Sequence, residues 1–210
     1  MPLSILTLSL GPMDNNTYLV ADADTRQAAV IDPSFDSQAV LDAAEMHGWQ
    51  ISAIWLTHAH FDHIAGVAAI AAERTPPVPV GLHPDDLVLW RAGGGAKQFG
   101  IEIQAGPEPS FFYAHGQQLI LGAQRLEVRH TPGHSPGHVI FYAPLDGVVF
   151  CGDLIFQRSV GRTDLPGSSH SLLLQSIYQQ VFTLPAATRL LPGHGEATTV
   201  GEEQAENPFL

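Results

Sequence analysis

Short apolar runs alternate with turn-forming residues along most of the chain. In the amino-terminal part this pattern predicts three strands at residues 5–10, 17–21 and 28–31, separated by Gly, Pro, Asp and Asn. A helix is predicted over residues 36–47, because apolar residues recur there at helical spacing and Gly48 follows. The β-branched run at 51–56 predicts a buried strand, and the small residues at 64–73 predict a second helix.

The second half of the chain is again rich in predicted strands. They lie at residues 78–82, 118–121, 126–129, 139–143, 148–150 and 189–191, with a helix at 169–182. Segment 84–116 lacks this regularity, and its glycines and aromatics predict either a lid or pocket wall, or a cap on the core. The order of elements predicts an α/β (α+β) fold in one domain, residues 1–210, with two facing sheets and helices outside.

Composition narrows the range of partners. The net charge is −12 with only nine Lys and Arg, which argues against binding to a nucleic-acid backbone. A single cysteine, Cys151, excludes an intrachain disulfide and a thiolate metal cluster. The sequence has neither a secretory signal pattern nor an apolar stretch of about 18 residues, so we expect a cytoplasmic protein without a membrane partner. No oligomerisation motif is recognisable.

The most informative stretch is Thr57-His58-Ala59-His60-Phe61-Asp62-His63, which directly follows the predicted strand 51–56. Strand-to-helix turns at the carboxyl ends of strands are common places for functional sites in α/β proteins. Imidazole and carboxylate side chains at this spacing can converge on one metal position or on two adjacent positions. A single histidine would more often be a surface or core residue, so the prediction depends on the cluster.

Three later turns repeat this arrangement, each with a glycine just before a ligand-type side chain. The turns are Pro132-Gly133-His134, Cys151-Gly152-Asp153 and Pro192-Gly193-His194, and each follows a predicted strand. Together with the first stretch they give seven candidate ligands: His58, His60, Asp62, His63, His134, Asp153 and His194. A donor set of imidazole and carboxylate suits Zn²⁺, Fe or Mn.

This set resembles the metallo-β-lactamase superfamily over nearly the whole chain. The resemblance implies a four-layer αββα sandwich of two mixed sheets flanked by helices. It also implies one divalent metal at His58, His60 and His134, a second at Asp62, His63 and His194, and Asp153 bridging both. Zinc is the expected metal, with Fe or Mn as alternatives. Two such metals can hold a hydroxide between them at neutral pH, with Asp62 and Asp153 as the expected catalytic carboxylates.

Three further stretches resemble the glyoxalase II-like branch, in its short bacterial single-domain form: residues 131–138, Gly161-Arg162-Thr163-Asp164 and the final Asn207-Pro208-Phe209-Leu210. This implies hydrolysis of a hydroxyacyl thioester such as S-lactoylglutathione. No helical glutathione-binding domain is expected after His194, since about fifteen residues follow it. Arg162 is either a substrate-binding residue or, with Asp164, part of a network that braces its loop.

Other activities remain open from the sequence. Persulfide dioxygenases of the same superfamily also carry a Gly-Arg-Thr-Asp stretch. This resemblance implies a mononuclear site, with one iron bound by the equivalents of His58, His134 and Asp153. A broad lactone or β-lactam hydrolase is a further alternative. Five other histidines are expected to lie outside the ligand set: His83, His115, His130, His138 and His170.

Overall fold

The computed structural model describes residues 2–210, and a six-stranded mixed sheet forms its first half. Its strands are adjacent in chain order: β1 (Leu3–Leu10), β2 (Asn15–Asp22), β3 (Gln27–Ile31), β4 (Gln50–Trp55), β5 (Val80–Leu82) and β6 (Phe111–Phe112). The first three strands are antiparallel, whereas β3 to β6 are parallel. Parallel neighbours require crossovers, and helix α1 (Ser37–His47) provides the one between β3 and β4. The predicted amino-terminal strands and helix are confirmed.

A second six-stranded sheet forms the other half, in the order β14-β13-β10-β9-β8-β7. Its strands are β7 (Gln118–Leu121), β8 (Gln124–His130), β9 (Val139–Ala143), β10 (Val148–Gly152), β13 (Arg189–Pro192) and β14 (Thr198–Thr199). Only β10 and β13 are parallel, and helix α5 (His170–Ser176) lies in their crossover. This helix continues as a π-helical turn, Ile177–Val181, so the predicted helix at 169–182 is confirmed.

The two sheets pack face to face through an aromatic core. Tyr18 of β2 contacts Phe150 of β10 edge-on at 5.2 Å between ring centroids, and Trp55 of β4 lies 6.1 Å from Phe141 of β9. The opposite faces are covered by helices. Val40 of α1 packs on the first sheet, while the second sheet packs on residues of α5 and the turn after it. Because both faces of each sheet are buried, the predicted αββα architecture is confirmed.

The helix predicted at 64–73 is the main local error. The structure has two short helices instead, α2 (Phe61–Ile64) and α3 (Val67–Ala71), so α2 begins inside the ligand stretch. The break lies at Gly66, whose N–H donates to Pro33 O at 2.9 Å. A Cβ at this position would lie 2.3 Å from Ser34 O. The chain is therefore bent against a loop that is distant in sequence.

Segment 84–116 is divided between the core and the surface. It contains a 3₁₀ turn (Pro84–Asp86), helix α4 (Leu87–Arg91) and a second 3₁₀ stretch (Gly93–Phe99). Of its aromatic cluster, Phe111 and Phe112 form the edge strand β6, and Tyr113 is buried against the sheet and accepts a hydrogen bond from Leu56 N at 3.2 Å. The cluster thus belongs mainly to the core.

Three late elements were not predicted from the sequence. They are the hairpin of β11 (Ile155–Phe156) and β12 (Ser159–Val160), strand β14, and helix α6 (Val200–Glu206). An ion pair fixes the hairpin turn to α6, because the Arg158 guanidinium donates to Glu203 Oε1 at 2.7 Å. Among residues 2–210, no helix is both long and apolar enough to cross a membrane.

Candidate metal centre

The strand directions bring the predicted ligands to one edge between the two sheets. Strands β8 and β10 are both antiparallel to β9, and β13 is parallel to β10, so all three end at the same edge. His134, Asp153 and His194 follow these three ends. The remaining four candidates follow β4 of the facing sheet and enter the first turn of α2. The structure therefore brings all seven predicted ligands together.

Three histidines form the first group. His58, His60 and His134 offer ring nitrogens that lie within 4.8 Å of one another. The closest pair is His60 Nδ1 and His134 Nε2, at 2.8 Å. All three side chains are buried. This is the arrangement of a three-imidazole metal site with room for a further ligand.

A carboxylate and two histidines form the second group. Asp62 Oδ2 lies 3.1 Å from His194 Nε2 and 3.6 Å from His63 Nε2. Asp153 stands between the groups: its Oδ1 is 3.3 Å from His63 Nε2, and its Oδ2 is 3.5 Å from His134 Nε2. One carboxylate thus reaches both sets of ligands.

Two buried atoms test whether these residues fit a metal. Among the residues that the structure describes, His58 Nε2 has no hydrogen-bond partner, and Asp153 Oδ1 makes no well-aligned hydrogen bond, although His63 Nε2 lies 3.3 Å away. Leaving a buried polar atom unpaired costs about 1–3 kcal/mol, so native proteins rarely keep one without a reason. Both atoms point into the cluster, where a cation would satisfy them. The donor set therefore fits divalent metal binding.

Outward hydrogen bonds fix the orientation of four of the imidazole rings. In each ring Nδ1 contacts an oxygen, which leaves Nε2 facing the cluster. The partners are Thr57 Oγ1 for His58 at 3.0 Å, Asp32 Oδ2 for His63 at 3.0 Å, Arg162 O for His134 at 2.9 Å, and Met13 O for His194 at 2.9 Å. The rings are therefore held in place by residues outside the ligand set.

The two groups differ in electrostatics. Burial, together with neighbouring imidazoles, lowers the pKa of His58 well below its usual range and that of His60 to about 3. Burial also opposes protonation of His63, but the carboxylates of Asp153, Asp62 and Asp32 outweigh it and raise its pKa. His58 and His60 are therefore neutral and ready to donate lone pairs, whereas the second group pairs protonated imidazole with carboxylate until a cation replaces the protons.

Two glycines permit the close approach of the turns. Gly152 has φ +49°, and a Cβ on it would lie 2.4 Å from Thr57 Oγ1. A Cβ on Gly193 would lie 2.3 Å from Asp153 Oδ1 and 2.7 Å from His63 Cε1. Any side chain at Gly193 would therefore enter the space between the ligands. Packing therefore requires glycine at both positions, and at Gly152 the positive φ favours it as well.

A cavity of about 710 Å³ opens from this cluster to the surface. Ligand residues, among them His60, Asp62 and Asp153, form its floor. Its walls are largely apolar and include Phe61, Leu89, Phe99, Phe156 and Leu165. Leu89 and Phe99 belong to segment 84–116, so this segment contributes one wall of the cavity.

Comparison with known proteins agrees with this geometry. The family profile described as "Metallo-beta-lactamase superfamily" matches residues 10–194. The chain belongs to the metallo-β-lactamase superfamily. Among relatives in this superfamily, it is 37% identical to "Probable metallo-hydrolase YqgX" of Bacillus subtilis, over 97% of this chain and 95% of the relative. It is 30% identical to "Hydroxyacylglutathione hydrolase GloC" of Haemophilus influenzae, over 99% and 98% of the two chains.

Solved structures of the superfamily show the same fold. A B3 metallo-β-lactamase named BLEG-1 superposes with a TM-score of 0.92 and 37% identity, covering 99% of both chains. A di-iron-bound form of TTHA1623 gives 0.89 and 41%, covering 98% and 100%. ETHE1 from Myxococcus xanthus gives 0.80 and 28%, covering 98% of this chain and 83% of that one. The chain is thus a metallo-β-lactamase-fold protein with His and Asp metal-binding groups, and the identity of the metal stays a prediction.

Arg162 lies in the cavity wall, and its guanidinium forms an ion pair with Asp164. Its Nε and Nη2 donate to the two carboxylate oxygens of Asp164 at 2.7 and 2.8 Å. Its main-chain oxygen accepts from His134, as noted above. The loop network considered from the sequence is therefore present, and the substrate-binding role of Arg162 stays a prediction.

Sequence reasoning missed two buried aspartates that support the ligands. Asp32 accepts hydrogen bonds from Thr57 N at 2.7 Å and Thr57 Oγ1 at 2.6 Å, in addition to its contact with His63. Asp86 lies outside the ligand set and is fully buried. Neither residue belongs to the seven ligand candidates that the sequence predicts. The one sequence feature that could have indicated a role near the site is the position of Asp32 directly after the end of a strand.

Asp86 connects the two loops that carry the first histidine group. Its Oδ2 accepts from Ala59 N at 3.0 Å and Ser135 Oγ at 2.7 Å, and its Oδ1 accepts from Gly137 N at 2.6 Å. Ala59 stands between His58 and His60, and Ser135 follows His134. A single carboxylate therefore fixes the spacing of these loops.

Three of the other histidines, His83, His130 and His138, do not belong to the two ligand groups described above. His138 is buried behind Asp153, and its Nε2 accepts from Asp153 N at 3.1 Å. His83 and His130 stack at 4.0 Å between ring centroids, near Asp85. Because stacked parallel rings direct their lone pairs into separate planes, this pair does not converge on a common metal position.

Proposed function

We propose that this protein is a metal-dependent hydrolase that cleaves a hydroxyacyl thioester at a two-metal site. One observation carries the proposal: both ligand groups are complete, and Asp153 reaches both of them. A mononuclear site would need only part of this set. Hydrolases that activate water with metals need no nucleophilic Ser or Cys, and the one cysteine, Cys151, is fully buried.

The residues that would hold each metal follow from the two groups. His58, His60 and His134 would hold one cation, and Asp62, His63 and His194 the other. When bound, such cations lower the pKa of a shared water towards 7 and polarise the substrate carbonyl.

The protein residues orient the reacting groups. Burial alone would raise the pKa of the Asp62 and Asp153 carboxyls. The neighbouring histidines outweigh burial and lower both pKa values, so both carboxylates stay ionised. Asp62 lines the cavity floor, where an ionised carboxylate can accept a hydrogen bond from the attacking water and direct its lone pair to the thioester carbon. The apolar walls limit access of bulk water to this position.

The choice of a thioester rests on the similarity to the glyoxalase II-like branch, including the relative named GloC. A second candidate, hydrolysis of β-lactams or lactones, is favoured by the similarity to BLEG-1. Attack of a hydroxide on a carbonyl carbon is common to all of these substrates, so the same floor serves each reaction. The walls of the cavity, rather than the floor, would decide among them.

The test combines metal analysis with turnover. Purified protein should contain about two metals per chain and should hydrolyse lactoyl thioesters. The double variant Asp62→Ala with His63→Ala should lose the second metal and most of the activity. About one iron per chain, with oxygen uptake on a persulfide substrate, would instead support the dioxygenase alternative. Turnover of β-lactams but of no thioester would support the second candidate.

A further inference from the structure

The walls of the cavity carry almost no usable positive charge. Among the described residues 2–210, Arg162 is the only Lys or Arg that lines it. The Nε and Nη2 atoms of its guanidinium donate to the two carboxylate oxygens of Asp164, in a two-bond ion pair. Asp14 adds an exposed carboxylate at the rim. The cavity above the metal floor therefore offers no unpaired Lys or Arg side chain and one free carboxylate.

The basic residues of segment 84–116 do not change this balance. Arg91 and Lys97 line a separate surface depression, in which Glu102 and Glu108 are also found. Arg91 donates to the two oxygens of Glu108 at 3.0 and 2.9 Å. The segment that forms one wall of the cavity thus contributes the apolar side chains of Leu89 and Phe99 and the uncharged side chain of Gln98 to it, while its Arg91 and Lys97 line the separate depression.

Glutathione is poorly matched to such walls. It carries two carboxylates and a single ammonium group, and each carboxylate is separated from the sulfur by a peptide bond, so the carboxylates would lie beyond the metal floor, against the walls. A carboxylate placed on apolar side chains loses hydration, and here no free guanidinium or ammonium replaces it. A carrier of similar length without carboxylates avoids this loss and gains burial on Phe61, Phe99 and Phe156.

We infer that the cavity selects thioesters whose thiol carrier is uncharged, and that it discriminates against carriers with carboxylates. This inference rests on the proposed thioester hydrolysis and names its substrate class. The bond broken is the same for every carrier: hydroxide adds to the carbonyl carbon, the thiolate leaves, and the carboxylic acid and thiol are the products. The selectivity lies in the walls and not in the chemical step.

The direct experiment compares two substrates with one acyl group. S-lactoylpantetheine and S-lactoylglutathione have carriers of similar length, and only the second carries carboxylates. With metal-loaded protein, kcat/KM should be at least about tenfold higher for the pantetheine thioester, because the carboxylates of the other carrier lose hydration and gain no cation in its place. Equal values, or a higher value for the glutathione thioester, would overturn the inference while leaving the proposed function intact. Hydrolysis of neither substrate by protein with both metals would overturn both.

A variant pair tests the role of the ion pair in this selectivity. Asp164→Asn frees the Arg162 guanidinium inside the cavity, and both side chains are more than half exposed, so folding should be preserved. The ratio of kcat/KM for the glutathione thioester over the pantetheine thioester should rise at least about fivefold, and less at high salt. Glu108→Gln makes the same change in the Arg91 pair outside the cavity and should leave the ratio unchanged.

Equilibrium binding gives a readout that does not depend on turnover. Thioether analogues of the two substrates, in which a 2-oxopropyl group replaces the lactoyl group, can be titrated calorimetrically. The pantetheine analogue should bind more tightly to the parent protein, and Asp164→Asn should narrow the difference. Tighter binding of the glutathione analogue by the parent protein, or an equal response of Asp164→Asn and Glu108→Gln, would contradict the inference.

Discussion

Asp86→Asn removes a charge and one acceptor from the structure while nearly keeping the shape of the side chain. In the parent protein, three buried donors point at the Asp86 carboxylate, two at Oδ2 and one at Oδ1. An amide has only one oxygen. In either orientation its NH₂ group would face at least one donor, either Gly137 N or the pair Ala59 N and Ser135 Oγ. At least one buried N–H or O–H therefore loses its acceptor.

The magnitude follows from the two competing effects. Burial raises the pKa of Asp86, so the carboxylate bears a desolvation cost that Asn avoids. Each buried donor left without an acceptor costs about 1–3 kcal/mol, and the facing NH₂ adds repulsion. We expect Asp86→Asn to lower the free energy of unfolding by about 1–3 kcal/mol. Asp86→Ala leaves three donors unpaired and should cost about 3–9 kcal/mol on the same scale.

The functional effect should fall on the first histidine group. The donors at Ala59 and Ser135 belong to the loops that carry His58, His60 and His134, so the spacing of these ligands depends on Asp86. Loss of residues that orient metal ligands typically reduces metal affinity about 10–100-fold. The first metal should therefore bind more weakly, whereas the second group, which Asp86 does not contact, should be affected less.

Urea unfolding of the metal-loaded and the chelated protein measures the stability, and metal titration measures both affinities. Asp85→Asn is the matched control, because Asp85 is adjacent in sequence and its side chain is 57% exposed. The control should change stability by less than about 0.5 kcal/mol. The reasoning is refuted if Asp86→Asn behaves like this control, or if it weakens the two metals equally.

Three further results are expected. Asp32→Ala should reduce second-metal affinity about 10–100-fold, as seen in metal titration, because it removes the acceptor that orients His63; an unchanged affinity would contradict this role. Lowering the pH should release the second metal first, because protons compete for His63 and His194, whose pKa values are raised, whereas the pKa of His60 is about 3. Metal content measured across pH would contradict this account if the first metal were released before the second. Gly193→Ala should abolish two-metal binding, since its Cβ would occupy the space beside Asp153 Oδ1; normal metal content would contradict the packing argument.

The strands and the ligands were predictable from the sequence for local reasons. Each strand is an apolar run bounded by turn residues, and each ligand follows such a run within a few positions. The structure brings His134, Asp153 and His194 to one edge because their strands run in the same direction. The motif at residues 57–63 then completes both groups.

What the sequence did not predict depends on contacts between distant residues. The helix break at Gly66 results from its contact with Ser34, and no local pattern indicates that contact. Asp32 and Asp86 act on groups at least 25 residues away along the chain. Arg162 and Asp164 are close in sequence, so their ion pair is a local contact. The position of Arg162 in the cavity wall, by contrast, follows from the packing of the loop after β12.

The central claim is that this chain binds two metals and uses both in hydrolysis. The most direct measurement is metal content per chain alongside lactoyl-thioester turnover, for the parent protein and for the Asp62→Ala, His63→Ala double variant. The account predicts about two metals with turnover in the parent, and about one metal with turnover reduced at least about a hundredfold in the variant. Full turnover in a variant that holds a single metal would contradict it.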